Sequence, residues 1–306
     1  MTATKYDGVW PVVPTTFTET GDLDLESQGR VLDCMIDQGN DGLCILANYS
    51  EQFLLSDAER ETLTRFCLEH VGGRVPVIVT ASHFSTQVVE ARCRLAAELG
   101  ASMIMLMPPY HGAALKADEA GILEHFQRAA DAGGLPIMVQ DAPLSGVTLT
   151  VPFLARLAKE VPLASYFKIE MPGTAAKLRA LIAAGSEAIV GPFDGEEAIT
   201  LMADLDAGAT GTMPSALLPE LLREIVVHHR EGRREQAQAG YARVLPLINY
   251  ENRQAGLRAC KAAFLEGKVI TSDHVRHPTR PLDDATRAGL LELARPLDLI
   301  ALRWGR

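Results

Sequence analysis

The sequence predicts an α/β fold, a closed (β/α)8 barrel (a TIM barrel) with a helical C-terminal extension. Three observations carry that expectation. Eight short apolar runs alternate with longer amphipathic ones over residues 1–216. That stretch is near the roughly 250 residues such a barrel occupies. The first strand runs into Val13-Pro14-Thr15-Thr16-Phe17, which lacks the glycine-rich phosphate loop of an open doubly wound sheet. Residues 1–216 are therefore read as the barrel and 217–306 as a helical layer packed on it.

The expected strands are Val9–Thr15, Gly42–Ala47, Val75–Ala81, Ser102–Met107, Pro136–Asp141, Ser165–Glu170, Glu187–Gly191 and Ala209–Met213. Their near-continuous apolar character suits parallel strands buried on both faces, joined by right-handed crossovers. Between them, apolar residues recur at helical spacing: Val31, Leu32, Met35 and Ile36, then Leu63, Phe66 and Cys67, then Ile122, Leu123, Phe126 and Ala130. Ser56 stands three residues before Glu59, the spacing of a capping box, and Ser85 or Thr86 opens the helix that runs to Gly100. Beyond residue 217 only helices are expected, over Pro219–Glu231, Arg233–Leu247, Glu251–Leu265 and Asp283–Leu297.

Composition narrows the function. The 306 residues carry 29 Lys and Arg against 39 Asp and Glu, a net charge of −10, which excludes nucleic acid as a main partner. The basic stretch Arg230–Arg234 is broken by Glu231. The N-terminus lacks the basic and apolar regions of a signal peptide, and no apolar run reaches the ~18–20 residues of a spanning helix, so a cytoplasmic protein away from membranes is expected. Cys34, Cys44, Cys67, Cys93 and Cys260 are odd in number and form no Cys-x-x-Cys pair; they read as reduced, buried thiols.

In a barrel, chemistry gathers at the C-terminal ends of the strands. The sixth strand, Tyr166-Phe167-Lys168-Ile169-Glu170, carries the strongest signal. Alternation puts Phe167 and Ile169 on one face and Lys168 and Glu170 on the other, pointing into the barrel. Desolvation there would favour the neutral amine that condenses with a carbonyl. From the pattern alone, that reading and a merely structural Lys–Glu pair stand level. The second strand ends in Asn48-Tyr49-Ser50-Glu51-Gln52, a turn able to hold a carboxylate, although an ordinary polar loop explains it at least as well. Gln140 ends the fifth strand and Tyr110-His111 follows the fourth, while Gly191 and Met213 close the expected seventh and eighth strands as substrate-facing positions. The eight histidines are dispersed without ligand spacing, so no metal site is expected. Dinucleotide and phosphate-loop fingerprints and Gly-x-Ser-x-Gly are absent.

These strand ends resemble those of the dihydrodipicolinate synthase / N-acetylneuraminate lyase superfamily, along nearly the whole chain. Lys168 stands where that superfamily has its Schiff-base lysine, with Glu170 two residues on; Gly208-x-x-Gly211 and Arg276-His277-Pro278-Thr279-Arg280-Pro281-Leu282 are also similar. The departures are specific. Ala47-Asn48-Tyr49-Ser50-Glu51 replaces the usual Gly-Thr-Thr-Gly-Glu, Gln140 replaces the proton-relaying tyrosine of the fifth strand, and the arginine of the synthases has no counterpart in Pro143–Gly146. The strings around Asn48, Pro108 and Val139 resemble a narrower branch that dehydrates 2-keto-3-deoxy sugar acids.

That resemblance implies a Schiff base on Lys168 with no other cofactor, Glu170 as general acid/base, and Gln140 orienting substrate hydroxyls or a water. It implies further that Asn48, Tyr49 and Ser50 hold the substrate carboxylate. The partner implied is a small 2-keto-3-deoxy sugar acid. The working state implied is a homotetramer, with Tyr110 or His111 near a neighbour's site. A pyruvate-type aldolase on the same lysine and a non-catalytic sugar-acid-binding barrel remain as rivals.

Overall fold

The structure, a computed structural model, describes residues 5–110 and 117–306. Eight strands follow one another along the chain: β1 Gly8–Val9, β2 Leu43–Ile45, β3 Val77–Thr80, β4 Met103–Leu106, β5 Ile137–Asp141, β6 Tyr166–Ile169, β7 Gly191–Asp194 and β8 Gly211–Thr212. The intervening helices are α1 Leu25–Asp37, α2 Asp57–Val71, α3 Thr86–Glu98, α4 Glu119–Gly133, α5 Val151–Glu160, α6 Thr174–Gly185 and α7 Leu201–Asp206. Four more follow β8: α8 Pro219–Arg230, α9 Arg234–Tyr250, α10 Arg258–Glu266 and α11 Asp284–Ala294. No described helix is long and apolar enough to cross a membrane. All five cysteines are free and buried.

The chain divides into two compact units, one reaching to Gly8 and resuming over Val77–Met213, the other formed by Val9–Pro76 and Pro214–Arg306. The sequence's boundary at 216/217 follows secondary-structure content, since only helices come after it. The compact units follow contacts instead, and group the C-terminal helices with residues 9–76.

In the first unit, β3 to β8 lie side by side in chain order, all parallel. Every residue of β3, β4, β5 and β6 is buried, which explains why these strands read as apolar runs rather than alternating ones. Burying Phe167 and Ile169 contributes roughly 1.5–3 kcal/mol each and fixes which face of β6 turns away from Lys168. The helices start where their caps dictate: Asp118 accepts from Gly121 N ahead of α4, and Thr150 from Phe153 N ahead of α5.

In the second unit, Val12 bridges Cys44 and Ser215 in parallel fashion. Ser56 and Glu59 form the capping box expected at α2. A π-helical turn, Glu251–Ala255, separates α9 from α10 where the sequence suggests a single helix start at Glu251.

The seventh strand corrects the sequence reading. The apolar string Ala188-Ile189-Val190 resembles a strand, but Ser186–Ala188 is a 3₁₀ turn and β7 begins only at Gly191. Pro192 is tolerated near the strand start. Gly191 therefore opens β7 instead of closing it.

Candidate active site

The register of β5, β6 and β7 builds the site. Gln140 pairs with Lys168 and Lys168 with Phe193, so these three side chains share one face; Asp141, Ile169 and Asp194 share the other. The Lys168 side chain is only 3 % exposed, and its Nζ lies 2.5 Å from Oε1 of Glu170. The same oxygen accepts a hydrogen bond from Nε2 of Gln140 at 2.6 Å. One carboxylate oxygen thus takes two donors, and Lys168, Glu170 and Gln140 stand together as the alternation of β6 predicts.

Gly195, just beyond β7, leaves the room these side chains fill. A Cβ there would stand 2.6 Å from Cγ of Lys168 and 2.8 Å from Cγ of Glu170. Gly191 is glycine for a different reason: its Cβ would sit 2.1 Å from Cδ1 of Tyr166, two residues before Lys168 on β6. The structure gives Gly191 a packing role at the start of its strand, where the sequence reading has it facing substrate at the strand's end. Met213 is buried after β8 and donates its N–H to the Asp194 carbonyl. Tyr110 is half-buried beyond β4, and His111 lies outside the described residues.

Behind the strands lies a second layer of charge. Asp141 forms an ion pair with Lys177 of α6 at 2.5 Å, and burial raises its carboxyl above the usual range. Asp194 is wholly buried and accepts from Thr212 Oγ1 at 2.5 Å and from the backbone N–H groups of Glu196 and Ala198. Burial raises it too, against those hydrogen bonds and the nearby Lys168. Burial, with Asp194 alongside, pushes Asp204 up to about 7. Nothing in the local sequence pattern singles out Asp194 or Asp204. The Asp194-Gly195 pair, a turn signal directly after an apolar run, could have marked the true end of β7.

The expected carboxylate-binding turn lies in the second unit. Asn48–Ser50 form a 3₁₀ turn after β2, and Asn48 Oδ1 accepts from Gln52 Nε2. The Ser50 hydroxyl donates to the Val13 carbonyl at 2.6 Å and accepts from Ala47 N. Its one proton is committed, so Ser50 shapes the turn and has none to offer a substrate carboxylate; Asn48 and Tyr49 remain as candidates. Glu51, which ends the turn at φ 58°, is buried against Lys261 of α10 and accepts from Arg276 N at 3.0 Å. Burial lowers the Lys261 amine below its usual range even beside Glu51. No local pattern announces that pair, whose members lie 210 positions apart.

The profile of the dihydrodipicolinate synthetase family matches residues 5–295. The chain is 58 % identical over 300 residues to an L-2-keto-3-deoxyarabonate dehydratase of Azospirillum brasilense, covering 98 % of this chain and 97 % of that one. It is 31 % identical over 265 residues to 4-hydroxy-tetrahydrodipicolinate synthase 2 of Streptomyces coelicolor, covering 85 % of each. Among solved structures, a prophage protein of the dihydrodipicolinic acid synthase family from Escherichia coli K12, in complex with pyruvate, superposes with a TM-score of 0.88 at 27 % identity, over 96 % of this chain and 99 % of that one. The eight strand–helix repeats and the helical C-terminal extension are thus the (β/α)8 class that the sequence predicts, and the chain belongs to the dihydrodipicolinate synthetase family.

Proposed function

We propose that the protein is a Schiff-base hydro-lyase that converts 2-keto-3-deoxy-L-arabonate into 2-oxoglutarate semialdehyde and water. The observation that carries the reading is the buried contact of Lys168 Nζ with Glu170, on a strand whose neighbour presents Gln140 where aldol chemistry would call for a tyrosine. The L-arabonate configuration rests on the Azospirillum relative's name, and the breakdown of L-arabinose is the setting it implies.

Lys168 passes a proton to Glu170 and attacks the 2-keto carbon; the carbinolamine loses water to give an iminium. That cation acidifies C3, and Glu170, once ionised again, takes a C3 proton to leave an enamine. The enamine expels the C4 hydroxyl, protonated by Glu170, as the second water. Loss of a C5 proton gives a dienol, which takes protons at C4 and C3 and releases its hydroxyl proton to become an aldehyde on the restored iminium. Hydrolysis consumes one water and returns the free amine. The net change is loss of one water with no oxidant or reductant, so the amine is the only covalent group required.

Gln140, a neutral amide near pH 7, cannot deprotonate the C4 hydroxyl as retro-aldol cleavage demands. That favours elimination. Asn48 and Tyr49 are assigned to the substrate carboxylate, with Met213 and Tyr110 lining the site. A cytoplasmic homotetramer is the working form the family resemblance implies. Incubation with 2-keto-3-deoxypentonate followed by product mass is the test. 2-Oxoglutarate semialdehyde is expected; pyruvate and glycolaldehyde would select an aldolase, and unchanged substrate would leave only a binding role.

A further inference from the structure

Glu170 stands one residue past the end of β6, and its N–H donates to the Asp141 carbonyl at 3.0 Å. Asp141 turns its side chain to the face away from Gln140 and Lys168, where α6 brings Lys177. An ammonium has three protons to give, and Lys177 Nζ has an acceptor for each. They are Asp141 Oδ2 at 2.5 Å, the Leu149 carbonyl at 2.6 Å and Met171 Sδ at 3.1 Å. Leu149 is buried in the connection that leads into α5. Met171 directly follows Glu170, and its carbonyl accepts from Thr174 Oγ1 at 2.6 Å. One amine therefore joins the end of β5, the approach to α5 and the residue next to Glu170. A thioether is a weak acceptor, so the Met171 contact adds placement more than energy.

We infer that Lys177 is a positioning residue for the acid–base group: by tying Asp141 to Met171 from the outer face of the sheet, it fixes the aim of the Glu170 carboxylate at Lys168 and at C3 of the bound keto acid. The inference rests on the Schiff-base part of the proposed function, and not on the substrate's hydroxyls. Lys177 touches no reacting atom, since its protons are all committed on the far side of the strands. With the tie cut, Glu170 keeps its charge and Lys168 its burial, but the distance over which the proton moves is no longer set. A misplacement of about 1 Å costs on the order of 100-fold in rate.

The test uses the full-length protein with Lys177→Met and the double variant Lys177→Met/Asp141→Asn. Deuterium exchange of the pyruvate methyl group reads proton transfer by Glu170. The half-saturating pyruvate concentration in borohydride trapping reads adduct formation on Lys168, and urea unfolding reads the fold. Exchange is expected to fall about 10- to 100-fold in both variants, with half-saturation within about threefold of wild type. Lys177→Met leaves a buried carboxylate unpaired and should lose stability, which the double variant recovers in part while its exchange stays low. Exchange that returns with stability in the double variant overturns the inference, because the pair would then be a structural support only. Unchanged exchange in both variants overturns it, as does an equal loss of exchange and of adduct affinity, which would put the damage at Lys168. A wild type that forms no pyruvate adduct, or forms one without exchange, overturns it too. A wild type whose exchange depends on Lys177 but which releases no semialdehyde from 2-keto-3-deoxypentonate leaves the inference standing and sinks the elimination alone.

Discussion

Two buried Lys–Glu pairs, one in each unit, make the same chemical contact to different ends. Lys168 and Glu170 are 3 and 16 % exposed; Lys261 and Glu51 are 1 and 0 % exposed. Lys261 also donates to the His274 carbonyl at 2.9 Å and lies 4.6 Å above the Phe17 ring, while Glu51 takes Arg276 N as well. That pair is sealed on every side. Beside Lys168 stands a carboxylate with some exposure and an amide with an unsatisfied oxygen. Burial of an ammonium is thus common to both pairs, and what sets Lys168 apart is a polar neighbour whose oxygen has no partner among the described residues.

Replacing each lysine separates the two roles. Lys168→Ala is expected to lower turnover on the order of 10⁴-fold or more, with unchanged circular dichroism, and borohydride trapping should add mass to the Lys168 peptide and never to that of Lys261. Lys261→Met leaves a buried carboxylate unpaired and should cost about 3–5 kcal/mol in urea unfolding, part of it recovered in the Lys261→Met/Glu51→Gln double variant. Smaller still is Gly195→Ala, whose methyl group displaces both Lys168 and Glu170. A fall in kcat of about 10- to 100-fold is expected, with a lowered melting temperature as well, because the same methyl group would meet the Ile169 carbonyl at 2.9 Å.

The smallest effect concerns a carboxyl outside either pair. Glu251 is buried at the π-helical turn, and burial pushes it up to about 8. A raised carboxyl binds its proton more tightly in the folded state. Its contribution to stability is complete below the ordinary 4.5 and is lost as pH rises through about 8. Wild type should therefore lose melting temperature between about pH 4.5 and pH 8, and Glu251→Gln should flatten that decline.

The Lys168 site was legible because its parts obey short-range rules. Strand alternation put Lys168 and Glu170 on one face, and the adjacency of consecutive strands brought Gln140 beside them. Where a rule had a competitor, the sequence misled. Ala188-Ile189-Val190 has strand composition yet leads out of a 3₁₀ turn, so composition alone starts β7 too early and sets Gly191 at the wrong end of it. Ser50 has the right chemistry for an anion, but only the fold shows its proton already given to Val13. The Glu51–Lys261 pair joins a turn to a distant helix, and no local period encodes a contact of that length.

The left-handed backbone at Glu51 has a consequence for dissection of the chain. Such a conformation costs a side-chain-bearing residue roughly 1–2 kcal/mol, and here Lys261 and Arg276 hold it in place. A protein cut short before Lys261 would retain every strand of the sheet and still lose the clamp on the Asn48–Ser50 turn. The C-terminal helices thus set the shape of a turn that closes the second strand, and a fragment ending with the eighth repeat should be expected to lose it.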